Sequence, residues 1–394
     1  MSRAEKRIFC ESLYGIKVPT GYSSNMKRFV TLNGELKLSS MKSHDCHVMM
    51  QVFLPIAIRG ILPKHVRHTI TELCSFFHSI CSKVLDPSTL DSLQTRVVET
   101  LCKFEINFVA EYFASVDPVG LPTSRHEGRL EGKGTIGSKL ITPSVEKRKQ
   151  AHLFVLHHVP DVHPYLSEHM EELRVSNPGK GVRALTQMHN KTFIDWFHKR
   201  VLNDLDESVP ETVKWLAFGP REAVRSYEGY DINGYTFWTE RQDLKSRSQQ
   251  NSGVSLVASS TQYASSKDKS PVHAESNYYG RIQEIWELDY CNFNICLLCC
   301  TWVDNNRRCV RNDDPCGFTL VDLSRLRETE EPFVIASQVK QVFFVTDPAD
   351  HKWSIVVPGK RSILGIGDVD NEEEYDAFED LPPLPILKFV WKMM

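Results

Sequence analysis

Apolar residues recur at intervals of three and four through much of the first half of the chain, a pattern typical of amphipathic helices. The clearest stretch runs from Val66 to Val84 and predicts a helix that ends before Asp86 and Pro87. Ser88 is a candidate N-cap for the next helix, whose apolar face extends to residue 102. The same periodicity predicts three further helices, over residues 144–155, 163–175 and 185–202.

After Glu211 the pattern changes to short runs of aromatic and β-branched residues separated by Gly, Asn and Asp, which is typical of strands. Asn233 and Gly234 stand between two such runs and predict a β-hairpin, because both residues tolerate positive φ. From Tyr278 to Gly359, further runs follow one another at intervals of roughly 8–12 residues. We therefore predict an α+β protein, in which an N-terminal helical domain is followed by a small, mostly antiparallel β barrel or sandwich.

Changes in composition divide the chain into segments. The predicted parts are residues 1–40, a helical domain over 41–210, a β-rich domain over 211–365 and a tail over 366–394. Gly and Pro interrupt every period at 119–149, which predicts a loop, and a second, polar loop is predicted at 259–277. Between Asp368 and Asp380 the tail has eight acidic residues and no Lys or Arg, so we expect it to be disordered.

Charge is nearly balanced over the whole chain, with 47 Lys and Arg against 50 Asp and Glu and a formal net charge of -3. This balance argues against a protein whose entire surface binds nucleic acid. The loop is locally basic, however, with seven Lys or Arg against three acidic residues between positions 125 and 149. If DNA is bound, we expect these residues to contact its phosphates; the alternative is a solvated basic loop. The candidates are Arg125, Arg129, Lys133, Lys139, Lys147, Arg148 and Lys149.

Cysteine and histidine are frequent, but neither forms a recognised metal-binding motif. Six of the eleven cysteines lie between Cys291 and Cys316, and Cys296 and Cys299 have the spacing of a zinc knuckle. These two residues belong to an apolar, strand-like run in which Cys299 and Cys300 would point to opposite faces, so we predict no metal and no cofactor. The histidines match no known ligand pattern.

The sequence contains no motif that marks an enzyme active site. It has no nucleophile elbow, and the glycines at Gly132, Gly134 and Gly137 neither follow a strand nor open a helix. No stretch alternates strands and helices as the sheet of a two-metal nuclease requires, so the aspartates at 289, 304, 313 and 314 have no scaffold on which to converge. We predict a protein without catalytic activity.

Membrane and secretory segments are also absent from the pattern. No apolar run is long enough to span a bilayer, and the first residues contain no apolar leader. The sequence therefore predicts an intracellular protein.

Three long phrases carry a resemblance to a known protein family. The first is LKLSSMKSHDCHVMMQVFLPIAIRGILPKHV, and the second is VDPVGLPTSRHEGRLEGKGTIG together with the later HNKTFIDWF. The third is the series YDINGYTFWTERQD, YYGRIQEIWELDY, FTLVDLSRL and KQVFFVTDP. Together they are similar to the two transposase-associated domains of unknown function in plant CACTA (En/Spm) transposon proteins, and the resemblance covers nearly the whole chain.

The resemblance implies a non-catalytic remnant or accessory of a transposase. Residues 1–40 resemble the segment that follows the ribonuclease H-like core in such proteins, so that core would precede residue 1. After LCKFEINF the chain passes directly to VAEYFASVDPVG, where relatives have a longer helical segment, which implies a truncated helical domain. The implied partners are DNA or a transposase, in the nucleus. The alternative is a protein-interaction module that uses the aromatic-rich β domain and has no role on DNA; neither interpretation involves a membrane.

Overall fold

The structure is a computed structural model in which helices dominate the N-terminal half. It describes residues 3–33, 36–39, 41–81, 90–107, 132–203, 209–262, 272–305, 308–312, 314, 317–327, 332–363 and 367–369. The helices are α1 (Arg3–Gly15), α2 (Ser43–Val48), α3 (Leu54–Ala57), α4 (Lys64–Ile80), α5 (Leu90–Asn107), α6 (Val145–His158), α7 (His163–Ser176), α8 (Val182–Asn203), α9 (Glu211–Phe218) and α10 (Glu240–Lys245). A π-helical turn (Met49–Phe53) joins α2 to α3.

Antiparallel strands dominate the second half. The strands are β1 (Val30–Thr31), β2 (Lys37–Leu38), β3 (Lys133–Ile136), β4 (Lys139–Ile141), β5 (Val224–Tyr227), β6 (Gly229–Ile232), β7 (Tyr235–Trp238), β8 (Gly253–Gln262), β9 (Val272–Asp289), β10 (Asn294–Val303), β11 (Val310–Arg311), β12 (Leu320–Val321), β13 (Leu326–Arg327), β14 (Phe333–Ile335), β15 (Lys340–Thr346), β16 (Ser354–Pro358), β17 (Arg361–Ile363) and β18 (Gly367–Val369).

The largest sheet is built around β9 and β10. Its main path is β11-β12-β16-β15-β8-β9-β10-β13; β14 also pairs with β10, and β5 joins β9 to β4. A smaller sheet has the order β3-β6-β7. The α+β class with a C-terminal antiparallel region is confirmed, although the sheets do not close into a barrel within the described ranges.

The predicted helices occur close to their predicted positions. α4 ends at Ile80, before the predicted stop, and α6, α7 and α8 cover the three later segments. Ser144 caps α6, because its Oγ accepts a hydrogen bond of 3.2 Å from the backbone N–H of Lys147. Ser88 lies outside the described residues. No described helix combines the length and the apolar character needed to cross a membrane.

The predicted hairpin at Asn233 and Gly234 joins β6 to β7. Both residues have positive φ, 52° and 75°, and the turn leaves Ile232 paired with Tyr235. A two-residue turn with this geometry matches the twist of antiparallel strands. The hairpin prediction is therefore confirmed.

The predicted loop at 119–149 is wrong over its second part. β3 and β4 lie within it, and α6 begins at Val145. The glycines of this segment allow close packing: a Cβ added at Gly134 would collide with the ring of Tyr227, and one added at Gly132 would lie 2.7 Å from the hydroxyl of Tyr230. Residues 108–131 lie outside the described ranges.

The second predicted loop and the tail need similar corrections. β8 and β9 form a continuous ladder from Gly253–Arg281 to Gln262–Val272, so both ends of the predicted 259–277 loop are strand; residues 263–271 are not described. β18, at the start of the predicted tail, pairs with β17, and residues 370–394 are not described. These strands have polar side chains and therefore lack the hydrophobic pattern that predicts a strand. They form because backbone hydrogen bonds hold the ladder, whatever the side chains are.

The N-terminal segment packs against the C-terminal strands. Phe53 and Ile56 share a hydrophobic cluster with Phe343, Trp353 and Ile355. All five side chains are buried, so residues 3–57 and the β15–β16 pair form one core.

Helices α6, α8 and α9 pack on the large sheet. Their core residues include Val155, Phe193 and Leu216, which cluster with Trp286 and Tyr290 of the sheet region. These side chains are nearly or fully excluded from solvent. The hydrophobic cores therefore extend across the domain boundary predicted at residue 210.

Candidate nucleic-acid interface

A cleft lined by charged side chains lies where the segments after β10 meet the turn between β15 and β16. Its volume is about 390 Å³, which is within the size range of ligand pockets in proteins. β12 pairs with both β11 and β16, so one edge of the large sheet brings the walls together. The lining residues are Asp304, Arg308, Cys309, Arg311, Asp322, Arg325, Arg327 and Lys352. We call this feature the cationic cleft.

Five of these eight side chains are cationic, and they come from separate segments. Arg308 and Arg311 lie before and within β11, Arg325 ends a 3₁₀ turn (Leu323–Arg325), Arg327 lies in β13, and Lys352 lies in the β15–β16 turn. All five residues are exposed. Because like charges in one cleft repel one another, their convergence favours the binding of an anion.

Two carboxylates in the cleft offset part of this charge. Asp304 Oδ2 lies 3.2 Å from a guanidinium nitrogen of Arg327. Asp322 is buried, and its Oδ1 accepts hydrogen bonds from the backbone N–H and the Oγ of Ser324, at 3.1 and 2.6 Å. Its Oδ2 lies 3.7 Å from Lys352 Nζ. Asp322 thus caps the turn that carries Arg325, and the cations remain in excess.

Trp353 is an aromatic support for two of the cations. The Arg311 guanidinium lies 4.2 Å from its ring centroid and Lys352 Nζ lies 5.3 Å from it. The ring is 2% exposed and belongs to the same core as Phe53 and Ile56. Cation–π contacts of this kind restrict where the flexible Arg and Lys side chains can point. The ring is therefore unavailable for stacking on a base, and it orients the cations.

The basic residues predicted from the sequence do not form a comparable site. Lys147 Nζ lies 2.7 Å from Glu284 Oε1 and over the ring of Trp286, and Arg148 lies 3.5 Å from Glu222 Oε1. The exposed members are Lys133, Lys139 and Lys149, on β3, β4 and α6, and Arg125 and Arg129 lie outside the described residues. Their role in DNA contact stays a prediction.

The cationic cleft cannot be predicted from the local net charge of the sequence. Arg308 and Arg311 are followed closely by Asp314, and Arg325 is preceded by Asp322, so the local net charge is small. In the structure Asp314 points to Arg59 and Asp322 to the backbone of its own turn, which leaves the arginines as the exposed charges. The remaining sequence signal is the pair of phrases RRCVR and RLR, between which lies the short strand β12.

The cysteines of the β10 region do not converge on a metal site. Cys296 and Cys300 belong to one hydrophobic cluster and Cys299 to another, which confirms the predicted alternation. Burial raises the pKa of the Cys296 and Cys300 thiols, so they stay protonated. Cys316 is outside the described ranges. Among the residues that are described, no group of three or more His, Cys, Asp or Glu side chains is placed to hold a metal ion.

Three of the four aspartates considered for a two-metal site each pair with a different arginine. Asp289 lies 3.4 Å from Arg221, and Asp304 lies near Arg327. Asp314 is buried against Arg59 at 2.8 Å. Asp313 is not described. These three carboxylates lie at separate places and do not converge on one site.

Helices α6, α7 and α8 enclose a group of histidines. His169 and His189 contact each other through their Nδ1 atoms at 2.8 Å, and the rings of His157 and His189 have centroids 5.6 Å apart. Burial lowers the pKa of His189 to about 3 and that of His157 to about 4, and it also lowers the pKa of His169. At neutral pH these rings are uncharged, so one of the two Nδ1 atoms donates and the other accepts. This group cannot be predicted from the sequence, because His157, His169 and His189 come from three different helices.

Comparison with known proteins identifies a domain within the chain. Residues 286–356 match the family model described as a domain of unknown function (DUF4216), which is found in plant transposase-related proteins. No curated protein and no solved structure matches the chain. The matched range contains all eight residues that line the cationic cleft.

Proposed function

We propose that this protein is a non-catalytic, transposon-derived accessory protein that binds nucleic acid through the cationic cleft. The observation that carries the proposal is the convergence of five exposed cationic side chains on one cavity. Phosphate oxygens are the main acceptors for Arg and Lys side chains in protein–DNA interfaces, and such contacts carry no base information. Binding is therefore expected to be independent of sequence.

The transposon origin is supported by the matched domain and by the longer phrases quoted above. The cleft lies wholly within the matched range, so the proposed binding site is a property of that domain. The resemblance leads us to propose the CACTA (En/Spm) type and a nuclear location, which is where a DNA partner would be found. The positions of Asp289, Asp304 and Asp314 support a non-catalytic role, because each of these carboxylates lies against a different arginine.

The aromatic residues of the β domain give less support to the alternative, a protein-interaction module. Trp286, Tyr290, Phe333 and Phe343 are each at most 1% exposed. Aromatic anchors of protein interfaces have to be accessible before the partner binds. The proposal therefore rests on the exposed charges of the cleft.

A salt titration of binding tests the proposal. Fluorescence anisotropy of a labelled oligonucleotide, single-stranded or duplex, would be measured with the full chain between about 50 and 200 mM salt. Contacts with about three to five phosphates give a slope of log K against log salt of about -2 to -4.5. The labelled DNA is expected to stay intact in Mg²⁺. Absence of binding at low salt, or binding that persists at high salt, would contradict the proposal and favour a protein partner.

A further inference from the structure

We propose that Arg59 is a positioning residue for the cationic cleft and that, through it, the N-terminal helical segment sets the spacing of the cleft walls. This inference rests on the proposed function of the cleft. Arg59 follows α3, does not line the cleft, and lies far outside the matched range.

Arg59 binds two carboxylates at once. Its Nε and Nη2 donate hydrogen bonds to Asp347 at 3.1 and 2.9 Å, which is the paired geometry that a guanidinium forms with a carboxylate. Its Nη1 donates to Asp314 Oδ2 at 2.9 Å, and its Nη2 lies 2.8 Å from Asp314 Oδ1. All three side chains are at most 8% exposed. The guanidinium is therefore held in a single orientation.

The two carboxylates belong to the loop that follows one cleft cation and to the turn that carries another. Asp314 lies between β11 and β12, in the loop that follows Arg311. Asp347 opens the β15–β16 turn that carries Lys352, and its backbone N–H donates to the carbonyl of Trp353 at 2.9 Å. Arg59 therefore ties one wall of the cleft to the other.

A second contact from the same segment supports this connection. Gly60 has φ of +73°, and a Cβ added there would lie 2.9 Å from the Cα of Ala349, in the β15–β16 turn. The backbone at residue 60 therefore lies directly against the turn, in a conformation that favours glycine. Phe53, from the π-helical turn, shares a core with Trp353, whose ring supports Arg311.

Positioning explains this arrangement better than stability alone. A buried ion pair adds little net stability compared with apolar side chains of similar size, because removing charges from water offsets their attraction. The guanidinium of Arg is planar and branched, so it can fix the relative position of two carboxylates. Lys presents a single nitrogen and cannot do the same. Without Arg59, the loop after β11 and the β15–β16 turn would shift relative to each other, although β12 would still pair with β11 and β16.

Two variants separate positioning from stability. In the first, Arg59→Met is combined with Asp314→Asn and Asp347→Asn, so that no unpaired charge is left in the core and the melting temperature is expected to stay close to that of the parent protein. The second, Arg59→Lys, keeps the charge and loses the paired geometry. A control, Arg200→Met with Glu168→Gln, removes an ion pair of similar length, 2.8 Å, between α7 and α8.

We expect the triple variant to bind labelled single-stranded DNA about 10-fold more weakly, with a shallower salt slope, because Arg311 and Lys352 no longer face one strand together. Arg59→Lys is expected to show an intermediate loss, and the control none. Parent-like affinity and slope in the triple variant would overturn the proposal. If the triple variant does not fold, parent-like affinity and slope in Arg59→Lys would overturn it.

Hydrogen exchange distinguishes this inference from the proposed function. If the parent protein binds no DNA, the proposed function fails, but amide exchange still reports on the walls. Faster exchange over residues 308–312 and 349–353 in the triple variant than in the parent protein would uphold the positioning role of Arg59. Unchanged exchange in both segments would overturn it.

Discussion

Acidification from about pH 7 to about pH 5 is expected to lower the free energy of unfolding by about 4 kcal/mol or more. The cause is a set of histidines that folding buries in the neutral form. Burial lowers the pKa of His152 and His189 to about 3, and that of His157 and His158 to about 4, from the ordinary value of 6.5.

The sign follows from the protons bound in each state. As the pH falls through 6.5, the unfolded chain takes up a proton at each of these histidines, while the folded protein stays neutral until about pH 3 to 4. The unfolded state is therefore favoured by about 1.4 kcal/mol per pH unit for each group. Two histidines that stay fully neutral in the folded protein give about 4 kcal/mol. This is a large part of the ~5–15 kcal/mol that is the usual free energy of unfolding of a domain.

Urea titrations at about pH 7, 6 and 5 measure this effect. His189→Gln removes one of the buried groups and should make the pH dependence shallower by about 1.4 kcal/mol per unit. His351→Gln changes an exposed histidine and is the matched control. A constant free energy of unfolding between pH 7 and 5, or a parent-like pH dependence in His189→Gln, would refute the assignment of neutral buried histidines.

Reversal of two cleft charges is expected to weaken DNA binding about 100-fold at low salt. Arg311→Glu and Arg325→Glu change exposed side chains on two different segments of the cleft, so the fold is retained. Each charge-assisted hydrogen bond contributes about 1.5 kcal/mol or more, and the loss of two corresponds to about 100-fold in affinity. The salt slope should become shallower by about 2.

The matched control places the same charge change on the basic stretch that the sequence suggests. Lys139→Glu with Lys149→Glu reverses two exposed residues on β4 and α6, away from the cleft. Only a small loss of DNA affinity is expected in this variant, caused by long-range repulsion that salt screens. An equal loss in this variant would place the DNA contact on residues 133–149 and not in the cleft. Anisotropy titrations with the same oligonucleotide measure both variants.

The part of the fold that could be predicted is the part with a local cause. Helix periodicity marked α4 and α6 to α8, and the hairpin at Asn233 and Gly234 follows from the φ that these two residues tolerate. Cys299 and Cys300 point to opposite faces because strand side chains alternate.

The features that could not be predicted depend on distant residues. Gly134 looks like a loop residue until the ring of Tyr227 is placed against it. The cationic cleft gathers Arg311 and Lys352 from different segments, and the neighbouring acid Asp314 is neutralised by Arg59, which is 255 positions away in the chain. The sequence does not show which Asp and Glu side chains are buried in the folded protein. A basic site can therefore lie in a stretch whose net charge is balanced.

Photo-crosslinking would show directly whether nucleic acid contacts the protein in the cationic cleft. The full chain would be irradiated with an oligonucleotide that carries a photoreactive backbone group, and the crosslinked peptides would be identified by mass spectrometry. Crosslinks are expected in peptides that cover residues 304–327 and Lys352, and they should be lost in the Arg311→Glu, Arg325→Glu variant. Crosslinks confined to residues 119–149 would contradict a contact in the cationic cleft. The absence of any crosslink at a protein concentration where anisotropy reports binding would contradict it as well.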